Sequence, residues 1–163
     1  MDRVKGKRVY DYLKVLLDFE TEGKRVVKTL EIARKFSLHP STVTEMLRKL
    51  SEKEYVEYVP YRGVKLTEKG RNVAKTVLRK HRLLEIFLIK MFGYDIDEAC
   101  NEASSFDFLL SEKLADKICS FLNHPEVCPH GKPVFRSEKC CYAKINANRK
   151  RTKNSNTIRI ETS

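Results

Sequence analysis

Long apolar runs are the first thing this sequence lacks. No stretch approaches the ~18 residues that cross a bilayer as a helix, which excludes a helical membrane span. The opening "MDRVKGKRVYDYLK" has no apolar core of the kind that directs secretion, so the expected location is the cytoplasm. There, the five cysteines are expected as thiols or metal ligands rather than disulfides. No glycine-rich phosphate loop appears and no general base stands at suitable spacing, which argues against an enzyme. No internal repeat is visible.

What is present is charge and helical periodicity. Of 163 residues, 34% are charged and 41% hydrophobic, as in a helix-rich globular protein of one medium or two small domains. The net charge of +11 is unevenly spread: residues 1–80 hold 20 Lys/Arg against 11 Asp/Glu, residues 81–130 hold 4 against 9, and residues 131–163 hold 9 against 2. A basic N-terminal half points to a polyanion partner. An acidic middle points to cations or to self-association.

Val9, Leu13, Leu16 and Leu17 recur at helical spacing, predicting a helix over about 4–20. "ETEGKR" reads as a turn at Gly23. Thr29 is expected to cap "LEIARKF", with Leu30, Ile32, Ala33 and Phe36 inward. Pro40 disfavours α conformation at His39 and opens a third helix, "STVTEMLRKLSEK", with Val43, Met46, Leu47 and Leu50 facing the core. Two short helices joined by a tight turn make a helix-turn-helix. The β-prone Tyr55, Val56, Tyr58 and Val59, then Pro-Tyr-Arg-Gly, then Val64 and Leu66, read as a hairpin wing. Thr67, Asp95 and Ser111 are expected to cap three further helices. The expected fold is therefore mainly α: a winged helix-turn-helix over 1–75, a helical domain over 76–127, and a Cys/His-containing loop with a basic, mobile tail over 128–163.

In a winged helix the third helix lies in the major groove and its N-terminal residues reach base edges. Here the candidates are His39, Ser41, Thr42, Thr44 and Glu45, with Arg48 further along. Ser and Thr bond several bases or phosphate, and Glu accepts from cytosine. Arg62 at the wing tip suits a minor-groove or phosphate contact, and Lys28, Arg34, Lys35, Lys49 and Lys65 suit phosphates.

The stretch "SLHPSTVTEMLRKLSEKEYVEYVPYRGVKLTEKG", followed by "RKHRLLEIFLIKMFG", resembles the diphtheria-toxin-repressor (DtxR/MntR) family of metal-dependent transcriptional regulators, over roughly residues 5–134. The resemblance implies a winged helix followed by a helical domain that binds metal and dimerises. It implies a homodimer that binds a palindromic operator in double-stranded DNA when Fe²⁺ or Mn²⁺ is bound. The metal would set the spacing of the two winged helices. The SH3-like domain of longer members has no counterpart here.

His81 and Glu85 stand at i, i+4, offering an imidazole and a carboxylate one turn apart. The resemblance makes them ligands, together with Cys100 where iron-type members have His. It also places Asp11, Ser104 and Asp107 at the family's primary site. There Phe108 replaces a ligand His and Ser104 is a weak, neutral donor, so that site is expected to be weakened. A thiolate at Cys100 shifts preference from Mn²⁺ towards Fe²⁺, Co²⁺ or Zn²⁺. Cys119, at helical spacing with Leu114 and Ile118, is expected in the core. Cys128, His130, Cys140 and Cys141 form a second candidate metal or redox centre, although their spacing is not that of a zinc finger. Two functions remain: a metal-dependent repressor, or a metal-independent or thiol-responsive transcription factor of the same fold.

Overall fold

Leucines at helical spacing bury one stripe of the first helix, α1 (Arg3–Thr21), where Leu13, Leu16 and Leu17 are buried. The computed structural model describes residues 3–137 and 140, the side chains of 3–6 excepted. Cys141 and the basic tail expected to be mobile lie outside the described residues. The described chain is mainly helical and divides into two units, 1–78 and 79–163.

In the first unit α1 is followed by α2 (Thr29–Phe36) and α3 (Pro40–Glu52), then by strands β1 (Val56–Val59) and β2 (Gly63–Leu66). Two expectations for α2 need correction. The cap is Lys28 rather than Thr29, because the Glu31 carboxylate accepts the Lys28 N–H at 2.9 Å and so satisfies that end of the helix. Leu30 is exposed rather than inward: Ile32 and Ala33 are buried, and Phe36 stacks on Tyr12 at 4.6 Å. Ser37 in left-handed conformation closes α2. His39 caps α3 with Pro40 in its first turn, and Val43, Leu47 and Leu50 fill the core. Met46 is half-buried.

The wing is an antiparallel pair with Val56 opposite Leu66 and Tyr58 opposite Val64. Val27 bridges to Val64 and ties the α1–α2 connection to it. Two glycines are required here. A Cβ on Gly63, at φ +123°, would lie 2.7 Å from the Val27 carbonyl oxygen. A Cβ on Gly70 would lie 1.9 Å from the Tyr55 carbonyl oxygen. Nearby, Thr67 caps α4 (Glu68–Phe92) by accepting the Gly70 N–H at 3.0 Å.

The C-terminal part of α4 belongs to the second unit, with α5 (Ile96–Phe106), a 3₁₀ turn at Asp107–Leu109, and α6 (Glu112–Phe121). Asp95 and Glu98 form a reciprocal capping box on α5, and Ser111 accepts the Leu114 N–H at the start of α6. The core joins Leu83, Leu84, Ala99, Ala103, Ala115 and Ile118, with Cys128 and Val134 from the loop beyond α6.

Candidate nucleic-acid interface and metal centre

Pro40 and the His39 cap present the first turn of α3 outward. His39, Ser41, Thr42, Glu45, Arg48 and Arg62 are exposed and Thr44 is half-buried. His39 Nδ1 lies 2.8 Å from Ser41 Oγ, holding both polar groups at the helix start. A groove of about 500 Å³ opens between α2, α3 and the wing, lined by Thr44, Arg48, Tyr58 and Tyr61 among others. Tyr61 is 99% exposed at the tip, with φ +63°. Lys28 Nζ donates to the Tyr61 and Arg62 carbonyls at 3.3 and 3.1 Å, bracing the wing. Glu45 pairs with Lys49, whose hydrogen bond and charge hold its carboxyl below the ordinary value. Lys65 pairs with Glu57 at 2.7 Å across the wing. The described geometry thus offers a polar helix end, a cationic outer face and an aromatic wing tip.

The second unit buries its chemistry. Along α4, His81 Nε2 lies 3.2 Å from Glu85 Oε1. Cys100 on α5 brings its Sγ to 3.6 Å from the same Nε2. Asp107, 1% exposed, sits 3.1 Å from His81 Nδ1. Carboxylates thus face both ring nitrogens: a protonated ring donates to each, and an ion in place of the Nε2 proton would leave the Nδ1–H held by Asp107. On the other side, His130 Nδ1 lies 3.3 Å from Glu85 Oε1, and Cys128, His130 and Glu85 group within 4.8 Å. Glu85 is 2% exposed, and its Oε2 has no hydrogen-bond partner among the described residues. Burial pushes its carboxyl up, but the hydrogen bond and charge of His81, the charge of His130 and a bond from Cys100 hold it below the ordinary value.

The loop that brings Cys128 and His130 here is held by backbone and by one arginine. Cys128 N–H donates to the Lys132 carbonyl and Gly131 N–H to the Cys128 carbonyl, with Gly131 at φ +72°. Arg82, 3% exposed, donates to the Pro133 carbonyl at 2.5 Å and lies 5.1 Å from the Phe135 ring centre. One residue of "KHRLLE" therefore clamps the loop while its neighbour His81 faces the cluster.

An ionised, buried carboxylate with an unsatisfied oxygen, beside two imidazoles and two thiols, is a donor set that fits a divalent transition metal. Residues 6–64 match the family profile described as iron dependent repressor, N-terminal DNA binding domain. Residues 67–136 match the one described as iron dependent repressor, metal binding and dimerisation domain. The chain belongs to the iron-dependent repressor family. This family of metal-dependent transcriptional regulators is not one of enzymes. An uncharacterised HTH-type transcriptional regulator of Methanocaldococcus jannaschii is 39% identical over 117 residues, 72% of this chain and 94% of that one. The HTH-type transcriptional regulator MntR of Bacillus subtilis is 35% identical over 105 residues, 64% of this chain and 73% of that one. A solved manganese-dependent transcriptional repressor, in complex with manganese, superposes with a TM-score of 0.73 at 35% identity. The match covers 80% of this chain but 59% of that one, so this family member spans less than two thirds of that repressor.

Within the family framework, the sequence-derived ligands separate. His81, Glu85 and Cys100 come together. Asp107 lies against His81. Ser104 and Phe108 are half-buried, on α5 and the turn after it, and Asp11 belongs to the first unit, where it pairs with Lys14 at 3.0 Å. The four residues expected as one second centre are divided. Cys128 and His130 join Glu85, while Cys140 lies with Cys119 and His124. Cys119 is buried as expected, yet its thiol also reaches His124 Nδ1 at 3.5 Å. His124 was not legible as a site residue, because a five-residue offset from Cys119 is not a helical face. No helix among the described residues is long and apolar enough to cross a membrane.

Proposed function

We propose that this chain is a homodimeric repressor, acting in the cytoplasm, whose affinity for a palindromic operator is set by a divalent metal held at Glu85. The observation that carries this reading is the buried Glu85 carboxylate, with two imidazoles facing Oε1, two thiols close by, and Oε2 without a hydrogen-bond partner among the described residues. His81 Nε2, Glu85 and Cys100 would hold the ion, and Cys128 and His130 would complete its shell. The ion supplies positive charge where the chain has buried a negative one, joining α4, α5 and the 126–134 loop. Asp107 acts on it through His81, by fixing the ring's tautomer and orientation. Cys100 and Cys128 shift the preference from Mn²⁺ towards Fe²⁺, Co²⁺ or Zn²⁺.

The groove between α3 and the wing supports major-groove reading by Ser41, Thr42, Thr44, Glu45 and Arg48, with His39 and Arg62 at its edges. The edge-on rings of Phe87, Phe92 and Phe121, with Phe92 and Phe121 64–65% exposed, support a dimer contact on the second unit. Operator affinity measured by fluorescence anisotropy, anaerobically, tests the reading. Fe²⁺, Co²⁺ or Zn²⁺ is expected to tighten binding relative to chelator. The same affinity in chelator and in all of Fe²⁺, Mn²⁺, Co²⁺ and Zn²⁺ would favour the metal-independent, thiol-responsive alternative.

A further inference from the structure

A second group of soft donors lies at the far end of α6 and shares no residue with the Glu85 cluster. Cys119 sits in the last turn of α6 and is 2% exposed. The helix ends in a tight closing turn: His124 N–H donates to the Cys119 carbonyl at 2.8 Å and Asn123 N–H to the Ser120 carbonyl at 3.0 Å. Asn123 and His124 are both left-handed, at φ +59° and +55°, an uncommon pair for residues with side chains. This turn folds His124 back over its own helix, so that Nδ1 reaches Cys119 Sγ at 3.5 Å. Cys140, sixteen residues further on, brings its Sγ to 3.7 Å from the same Nδ1. Its sulfur also lies 3.2 Å from the Asp116 carbonyl oxygen and 3.5 Å from Ser120 Oγ, and the residue packs on the core of the second unit.

The chemistry of the imidazole makes this arrangement informative. A ring nitrogen carries one lone pair or one hydrogen, which suits one partner. Here two sulfurs converge on one nitrogen. A tetrahedral zinc ion, with bonds of ~2.3 Å to sulfur and ~2.0–2.1 Å to nitrogen, sets its sulfur and nitrogen ligands ~3.6 Å apart. The two separations observed are 3.5 and 3.7 Å, and all three ligand atoms lie within 4.8 Å of one another. His124 and Cys140 are half-buried, which leaves room for a water as fourth ligand.

We propose that Cys119, His124 and Cys140 form a second metal site, selective for Zn²⁺, that fastens the segment around Cys140 to the end of α6. Two thiolates and one imidazole are a soft set, poorly suited to Mn²⁺ and well suited to zinc. The site is set apart from the Glu85 cluster, with its single carboxylate and two imidazoles, by its richer thiolate share. Its consequence is mechanical. Cys140 stands where the sequence turns basic, with Lys144, Arg149, Lys150, Arg151, Lys153 and Arg159 beyond it. A zinc ion there anchors the root of that cationic stretch to the helical unit, independently of whether the Glu85 cluster controls operator binding.

The test uses the full chain, purified anaerobically. In a Cys100→Ser/Cys128→Ser/Cys141→Ser background, Cys119 and Cys140 are the only thiols. Cobalt added to it is expected to give thiolate-to-cobalt charge-transfer absorption that one equivalent of zinc bleaches. Adding Cys140→Ser or His124→Asn should remove that absorption and one equivalent of tightly held zinc. Should the triple variant fold poorly, the wild-type chain answers the same question. One equivalent of zinc should protect Cys119 and Cys140 from alkylation, read by peptide mass, and His124→Asn should abolish the protection. Manganese should give none. The proposal is overturned by zinc stoichiometry unchanged in Cys140→Ser and His124→Asn, by both thiols alkylating at the same rate with and without zinc, or by a Cys119–Cys140 disulfide that forms despite bound zinc. Loss of operator response without loss of this protection would count against the proposed function alone.

Discussion

The two units treat charge in opposite ways. In the first, the core is aliphatic, built from Leu13, Ile32, Val43, Leu47, Leu50 and Val64, and its charged groups lie at or near the surface. In the second, the described chain buries Arg79, His81, Arg82, Glu85 and Asp107. Among the described residues, every buried arginine, histidine and carboxylate thus falls between positions 79 and 107. Burying ions costs several kcal/mol each unless they are paired and hydrogen-bonded. Such groups contribute little to stability, so their concentration in one unit marks where the chemistry lies. The first unit meets its partner with its outer surface, whereas the second would take its ligand inside.

Substitution at Glu85 breaks this contrast most sharply. Glu85→Leu is expected to weaken metal binding by well over ~100-fold, removing a first ligand where changes to outer partners alone cost 10–100-fold. The metal-free protein should also melt lower than wild type, because His81 and His130 lose the buried carboxylate that they face. Calorimetric titration and thermal denaturation check the two halves. In the first unit the largest effect falls on stability instead. Gly70→Ala places a Cβ against the Tyr55 backbone and is expected to cost about 3 kcal/mol, read by chemical denaturation, without altering intrinsic metal affinity.

Smaller effects sharpen the comparison. Asp107→Asn should lower metal affinity by roughly 10–100-fold, because His81 loses the carboxylate that orients it. Arg48→Ala should cost about 1–3 kcal/mol of operator affinity and leave metal binding unchanged. Lys65→Ala should weaken all DNA sequences alike and reduce the salt slope of binding by about 1, measured by anisotropy across ionic strengths. If Arg48→Ala changed metal affinity in the isolated protein as strongly as Asp107→Asn does, the division of labour between the units would be wrong.

Much of the fold was legible in the residues because the relevant interactions are local. Pro40 after His39, Asp95 with Glu98, and Ser111 before Leu114 satisfy helix ends through neighbours three or fewer positions away. Leu30 and Thr29 were misread for an equally physical reason. A helix of eight residues offers little periodicity, and Glu31 caps Lys28 through a side chain that no preference for serine or threonine anticipates. At the Glu85 cluster, the His81–Glu85 pair follows from helix geometry alone. Cys128 and His130 could be flagged by residue type but not paired, because their approach to Glu85 depends on Arg82 grasping Pro133, 51 positions away.

The sequence by itself determined the helices, most of their caps, the wing, the charge asymmetry and one candidate pair of ligands, all set by spacings of four residues or fewer or by composition. Only the tertiary structure decided which cysteine answers which histidine. It divided Cys128 from Cys140 and brought His124 to Cys119, because the path of a loop is chosen by the packing beneath it, and residue spacing carries no record of that packing.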